Sequence, residues 1–265
     1  MYFKEDRIGK GKPTLAIMAC LHGDEIAGKK VIEHLKKIEL KKGAISLFIG
    51  NSEAITKKKR FIEKDLNRSF PGKKNGVLEE KIAYALRPRL GHFDFVVDLH
   101  TTNSKMDSLA IVTKLNKKHK DLLKKIPINK VALIGKKVFG GNDMISYCKV
   151  GVSLEYGPDK SGRNYKKILK DIKTILSNLN FIEGKKKVIF KKSLYEVSGV
   201  YQVMDKFEQS NKLKDFRLIH KGQAIGQINS VSIKSDSSFY PLFLGKGRYP
   251  KTLALISSKK SLTLK

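Results

Sequence analysis

The sequence predicts an α/β fold: a sheet with helices on both faces over residues 1–183, followed by a small all-β domain over residues 184–265. Three observations carry this. Short apolar runs alternate with amphipathic stretches through the first two-thirds of the chain, the grammar of strand and covering helix. The runs are continuous rather than alternating, as expected of strands buried on both faces. After EGKKK (183–187) the helical pattern stops, and short strand-like pieces follow, separated by Gly, Ser, Asn and Lys.

TLAIMACL (14–21) is the first such run. EIAGKKVIEHLKKIEL (25–40) sets Ile26, Val31, Ile32, Leu35 and Ile38 near helical spacing with lysines elsewhere, and Gly43 stops the helix. AISLFIGN (44–51) is the next strand. Residues 52–76 are polar and irregular, a loop of a length that in a compact domain is usually functional or disordered. VLEEKIAYALRPRL (77–90) reads as a helix, and FDFVVDLH (93–100) and SLAIVT (108–113) as strands. A short helix from KKHKDLLKKI precedes two further strands, KVALIG and GVSLEYG (151–157). NYKKILKDIKTILSNLNFI (164–182) is a long amphipathic helix. In the last part, VIFKKSLYEV, GVYQVM, FRLIH, AIGQINSVSI and FYPLFL are the strand candidates.

Length and composition bound the rest. A chain of 265 residues makes one large domain or a medium one with a small companion. The longest apolar runs fall far short of the about 20 residues that cross a bilayer, and the N-terminal segment MYFKEDRIGKGK has no apolar core of a secretory signal. Two cysteines, Cys20 and Cys148, build neither a disulfide framework nor a cysteine zinc site. Together these give the expectation of a cytoplasmic protein with no membrane partner. The formal net charge of +30 asks for an acidic partner to be considered. The excess is spread along the chain, is mostly lysine on polar helix faces, and lacks the interleaved aromatic residues that stack bases. A basic nucleic-acid-binding protein without catalysis is therefore the weaker reading, and a solvated lysine surface the stronger.

Three motifs sit where strands run out, the place where ligands gather in open α/β sheets. His22-Gly23-Asp24-Glu25 follows the first strand and puts an imidazole and a carboxylate on one face. Asp98-Leu99-His100-Thr101-Thr102 ends the 93–100 strand with a second imidazole. Two histidines and a glutamate are a ligand set of hydrolytic zinc with an open position for water. Glu155-Tyr156-Gly157-Pro158 ends another strand and offers a carboxylate to the same crevice, where a base is needed. In the long loop, Arg60 and Arg68 stand out from a lysine-dominated sequence, since the guanidinium fork binds carboxylates bidentately. Cys20, next to this cluster but inside an apolar strand, reads as a buried and inert thiol.

HGDE, RFIEKDLNRSFPG, DLHTT and LEYGP, in this order and spacing, resemble the succinylglutamate desuccinylase/aspartoacylase family, a branch of the zinc carboxypeptidase-like fold, and lie closest to its aspartoacylase side. DFRLIHKGQAIGQ and YPLFLGKGRYPKTLALISSKKSLTL also look like the family's C-terminal β domain, so the resemblance covers nearly the whole chain. It implies a mixed sheet flanked by helices, with the C-terminal β domain covering the active-site entrance. It implies one Zn2+ per chain, held by His22, Glu25 and His100. Glu155 would be the general base and later the proton donor, and Arg60 would polarise the scissile carbonyl. Asn67 and Arg68 would hold a substrate carboxylate, Tyr249 would reach into the site, and Asp65 and Asp98 would support the metal-binding imidazoles. The substrate would be a small anionic N-acyl amino acid, cleaved at its amide bond, and a homodimer is the expected assembly if there is one. Departures bear on specificity: Ile145, Gly141 and Lys246 stand where the aspartoacylase pattern has a substrate-binding arginine, a tyrosine and a glutamate. A metallocarboxypeptidase or peptide amidase on the same fold is the alternative within enzymes.

Overall fold

The computed structural model describes residues 2–159, 164–245 and 251–264. In chain order the first part comprises β1 (Lys4–Lys10), β2 (Thr14–Ala19), α1 (Ile26–Leu35), β3 (Gly43–Ile49), α2 (Ser52–Thr56), α3 (Leu78–Leu90), β4 (Phe95–Thr101), β5 (Ser108–Val112), α4 (Lys117–Lys125), β6 (Lys130–Leu133), α5 (Lys136–Phe139), β7 (Gly151–Tyr156) and α6 (Tyr165–Asn178). Short 3-10 turns lie at Leu66–Arg68 and Met144–Tyr147. The rest of the described chain is strand and turn: β8 (Lys191–Gln202), β9 (Glu208–Gln209), β10 (Ala224–Ile228), β11 (Val231–Lys234), β12 (Tyr240–Leu242) and β13 (Thr252–Thr263).

Ten strands form one mixed sheet in the order β1-β3-β2-β4-β7-β5-β6-β8-β13-β12. β3, β2, β4 and β7 run parallel, and their near-continuous burial explains their continuous apolar sequences. β5 turns antiparallel to β7, and β6 returns parallel to β5. Side chains that alternate along each strand feed two cores. Leu15, Ile17, Val97, Leu99, Val152 and Leu154 face α1 and α6, which bring Val31, Ile32, Ile168, Ile172 and Ile175. On the opposite face, Ala16, Met18, Phe48 and Val96 pack with Ile82, Leu86 and Leu90 of α3. The expected mixed sheet flanked by helices is the observed fold.

The strands after residue 184 divide between two sheets. β8 pairs parallel with β6 and antiparallel with β13, so the large sheet runs across the position where the all-β part was expected to begin. β9, β10 and β11 form a separate three-stranded sheet over a third core that includes Phe207, Ile219, Ile225, Phe239 and Leu253. α1 is shorter than its periodicity suggests. It ends at Leu35, and Ile38 and Leu40 pack on the core from a turn tied down by the Lys41 N–H, which donates to the Phe181 carbonyl at 2.8 Å. The loop at 52–76 is more ordered than expected. Asn51 caps α2 by accepting from Ala54 N, and Asp65 caps the Leu66–Arg68 turn by accepting from Asn67 N.

Candidate active site

β2 and β4 are adjacent and parallel, so their C-terminal ends deliver the two sequence motifs to one place. Cys20 takes a left-handed backbone (φ 56°) just beyond β2 and swings the chain into the turn that carries His22 and Glu25. Gly23 is demanded there by close approach: a Cβ would fall 2.3 Å from the carbonyl carbon of Ala54 and 2.5 Å from the Lys59 oxygen. Its N–H donates to the Arg60 carbonyl at 2.9 Å, which brings the long loop against the turn.

His22, Glu25 and His100 are all buried, and one donor atom from each lies within 4.8 Å of the others. The Glu25 carboxylate is the hub. Its Oε1 meets His22 Nδ1 at 2.9 Å and accepts from Arg60 Nη1 at 3.0 Å. Its Oε2 meets His100 Nδ1 at 3.0 Å and accepts from the Thr101 N–H at 3.0 Å. Each imidazole has a second carboxylate behind it: His22 Nε2 lies 3.0 Å from Asp65 Oδ1, and His100 Nε2 lies 2.6 Å from Asp98 Oδ2. Ser153 Oγ donates to the same Asp98 oxygen at 3.1 Å. Asp65 and Asp98 thus take the outer nitrogens of the two imidazoles and would orient them if an ion were held between them.

The electrostatics follow from this crowding. Burial works to lower the His22 pKa, but the charge of Glu25 and the hydrogen bonds to Asp65 and Glu25 outweigh it and hold it above the ordinary value. His100 is raised well above the ordinary value by Asp98 and Glu25 against the same burial. Burial pushes Glu25 up, yet the two histidines hold it well below the usual carboxylate range, and His22 with Arg60 does the same to Asp65. Glu155 behaves oppositely. It pairs in register with His100 across β4 and β7, and burial, reinforced by Glu25, raises its carboxyl to about 7 despite nearby cationic groups.

A divalent cation fits this donor set. Both Nδ1 atoms face Glu25, while both Nε2 atoms face carboxylates that accept an N–H, so each ring is held with one nitrogen turned inward. An ion held by two neutral imidazoles and a carboxylate would displace the protons that the raised histidine pKa values otherwise retain.

The loop residues take their expected neighbourhood with different partners. Arg60 spans Glu25 and Asp65, reaching Asp65 Oδ2 at 3.4 Å. Asn67 Oδ1 accepts from Met144 N at 2.9 Å, so this side chain joins the loop to the turn before β7. Arg68 donates to the Asn67 carbonyl at 2.7 Å and stacks 4.4 Å above the Phe139 ring. Arg60, Asn67, Arg68 and Glu155 all line one cleft of about 990 Å³ together with His22 and Glu25. Ile145 lines it too, while Tyr249 and Lys246 lie outside the described residues. Cys20 is wholly buried, and burial raises its thiol to about 12.

One residue central to this geometry escaped the sequence reading. Glu79, at the start of α3, is fully buried. Its Oε1 accepts from Ile62 N at 2.7 Å and Asn51 Nδ2 at 3.1 Å, and its Oε2 from Glu63 N and Lys64 N, each at 3.2 Å. It fixes the backbone just after Arg60. In the sequence it looks like an ordinary acidic first-turn residue, and no local signal separates the two.

The chain is similar over most of its length to proteins of known activity. The human N-acyl-aromatic-L-amino acid amidohydrolase (carboxylate-forming) is 24% identical over 287 residues, covering 93% of this chain and 90% of that protein. Rat (Rattus norvegicus) aspartoacylase is 24% identical over 299 residues, covering 94% of this chain and 93% of its own. Among solved structures, murine aminoacylase 3 superposes with a TM-score of 0.79 at 22% identity, over 96% of this chain and 98% of that one. A succinylglutamate desuccinylase/aspartoacylase from Rhodobacter sphaeroides gives 0.74 at 19% identity, over 97% and 88%. The family model of the succinylglutamate desuccinylase/aspartoacylase catalytic domain matches residues 11–182, well over half of the chain, and the protein belongs to that family.

Proposed function

We propose that this protein is a zinc-dependent amidohydrolase that removes the acyl group from a small anionic N-acyl amino acid. The observation that carries the reading is the convergence of His22, Glu25 and His100 within 4.8 Å, beside the raised carboxyl of Glu155. His22 and His100 through Nδ1, and Glu25 through its carboxylate, would hold the ion. Bound there, Zn2+ supplies Lewis acidity and lowers the pKa of water toward about 7.

The remaining chemistry belongs to the chain. Glu155, with its proton affinity lifted into the neutral range by burial, is suited to take the proton of the attacking water at a carboxylate oxygen. It then gives that proton to the leaving nitrogen as the C–N bond breaks, so the products are a carboxylic acid and a free amino acid. Arg60, tethered at one side by Glu25 and Asp65, presents fixed positive charge to the oxyanion that develops on the acyl carbonyl. Asn67 and Arg68 orient the substrate by its carboxylate, with Tyr249 as a further contact. The β-rich part after residue 184 contributes Asp215, Phe216 and Leu255 to the cleft wall and so would limit substrate size. Free, buried Cys20 and Cys148 and the lack of any described helix able to cross a membrane are consistent with a cytoplasmic setting.

The test is a panel of N-acyl amino acids offered to zinc-loaded protein, with Glu155→Gln in parallel. Wild type should hydrolyse at least one member. The variant should keep its zinc, measured by elemental analysis, and lose about 10²–10⁴ in kcat. Equal turnover by wild type and variant would remove Glu155 from the mechanism, and full activity after zinc is stripped by a chelator would remove the metal.

A further inference from the structure

α1 and α6, the helices on one face of the sheet, frame a second groove that shares no lining residue with the active-site cleft. Its volume is about 540 Å³, and it ends at the segment 182–185 that follows α6. Lys166, Lys170 and Lys173 line it from α6 at spacings of four and three residues, so their ammoniums stand on one helix face, and Lys185 joins them from the segment beyond. Like charges at that spacing repel one another, and a polyanion laid along them would relieve the repulsion.

The groove has one carboxylate of its own, Glu183, and Lys41 pairs with it at 2.6 Å. Lys170 acts on Asp171, but that carboxylate accepts from the Tyr156 hydroxyl at 3.1 Å. Among the described residues, Lys166, Lys173 and Lys185 have no hydrogen-bond or ion-pair partner. The floor differs from that of a solvated lysine face. Ser177 is 5% exposed, and its Oγ is buried with no hydrogen-bond partner. A hydroxyl inside a helix commonly donates to the carbonyl four residues earlier, as Thr174 Oγ1 does to Lys170 at 3.0 Å. Beside the Ser177 hydroxyl, a Cβ at position 184 would fall 3.0 Å from Oγ, so Gly184 keeps that space clear.

The donors select the anion. Ammoniums are compact point charges that suit phosphate, and the guanidinium fork that reads a planar carboxylate is absent from the described lining. Lys166 to Lys173 spans about 10 Å of helix, the reach of a chain of phosphates rather than of a single one. We propose that this groove is an oligophosphate-binding site, in which the four lysines hold successive phosphates and Ser177 Oγ donates to the one nearest the floor. The proposal stands apart from the reading of the cleft. The phosphate chain can be free or belong to a nucleotide. His34 lies flat on Tyr165, with ring centroids 5.3 Å apart and planes 6° apart, and its exposed ring gives a base a surface to stack on.

Binding is measured by calorimetry on the whole protein at about 0.15 M salt, where diffuse surface attraction is screened, with tripolyphosphate, ATP and orthophosphate as probes. Tripolyphosphate should occupy one site per chain and bind at least tenfold more tightly than orthophosphate. Lys170→Gln with Lys173→Gln should weaken it at least tenfold, and Ser177→Ala at least threefold. Lys206→Gln with Lys234→Gln, which removes two exposed lysines outside the groove, should change it less than twofold. ATP no tighter than tripolyphosphate assigns the site to the free chain, and tighter ATP binding whose excess is lost in His34→Ala assigns it to nucleotides. The absence of saturable binding, equal weakening by the two double variants, or a Ser177→Ala protein that binds like wild type would overturn the proposal.

Discussion

Glu79 and Glu155 show how one side-chain type takes two roles through its surroundings. Four donors converge on Glu79, three of them backbone N–H groups of the segment that follows Arg60. An anion matched to four donors fixes the loop and, through it, the guanidinium that bridges Glu25 and Asp65. Glu79→Gln puts an amide NH2 where only acceptors are wanted. It should cost about 1–3 kcal/mol of stability, read by urea unfolding, and lower kcat more than it raises KM, because Arg60 is displaced while Arg68 is not. An unchanged kcat would show that Arg60 keeps its place without this anchor. Glu155 meets no such donors among the described residues, and burial leaves its carboxyl reluctant to ionise. The same acid that would be a poor anchor is thereby suited to the proton-carrying role proposed for it near neutral pH.

At the level of elements, β8 is joined to the α/β part by more than its pairing with β6. Lys192 is buried, and its Nζ donates to the carbonyls of Ile126 and Ile128, at 2.8 and 2.6 Å, just past the end of α4. This is a cation at a helix C-terminus, where free carbonyls gather. Burial lowers the Lys192 pKa to about 8. An unfolded lysine titrates near 10.4, so between about pH 8 and 10.4 the unfolded chain binds a proton that the folded chain has released. Stability from this group therefore rises with pH through that window, by at most roughly 3 kcal/mol. Lys192→Met should lack the rise, and the difference in unfolding free energy between the two proteins, measured at pH 7.5 and 10, should change by a kcal/mol or more. A constant difference would mean that Lys192 keeps an ordinary pKa.

The same elements show what the sequence could and could not display. β2, β3, β4 and β7 were legible because burial on both faces leaves an unbroken apolar run. β1 was not, because KEDRIGK is an edge strand with mostly exposed side chains, held by its antiparallel pairing to β3 rather than by burial. β8 read as two pieces, since Gly199 breaks the pattern of what is one strand, with an irregularity in its pairing to β13. HGDE and DLH could be found because strand ends place them locally. The contact of Glu79 with the 62–64 backbone arises only from tertiary pairing, which no local spacing encodes.

Over the whole molecule the +30 charge sets a cost that salt can relieve. The 25 acidic residues cannot balance 55 basic ones, and several acids are drawn into exposed pairs such as Lys57 with Glu53 and Lys260 with Glu196. Exposed pairs contribute little, typically below about 1 kcal/mol each, while the unpaired lysines repel one another over the whole surface. Screening weakens both terms, but the repulsion has more members and a longer range, and the Debye length falls from about 30 Å at 0.01 M to about 8 Å at 0.15 M. The thermal midpoint should therefore rise by several degrees as sodium chloride goes from 10 to 300 mM at neutral pH. DNA binding, if seen at the low end, should vanish over the same range, because spread-out lysines give a counterion-driven association without base stacking. Hydrolysis should persist through that range, since the Glu25 cluster is buried where salt screens little. A midpoint that falls with salt would mean that the surface pairs, and not the excess of lysine, govern the electrostatics of this fold.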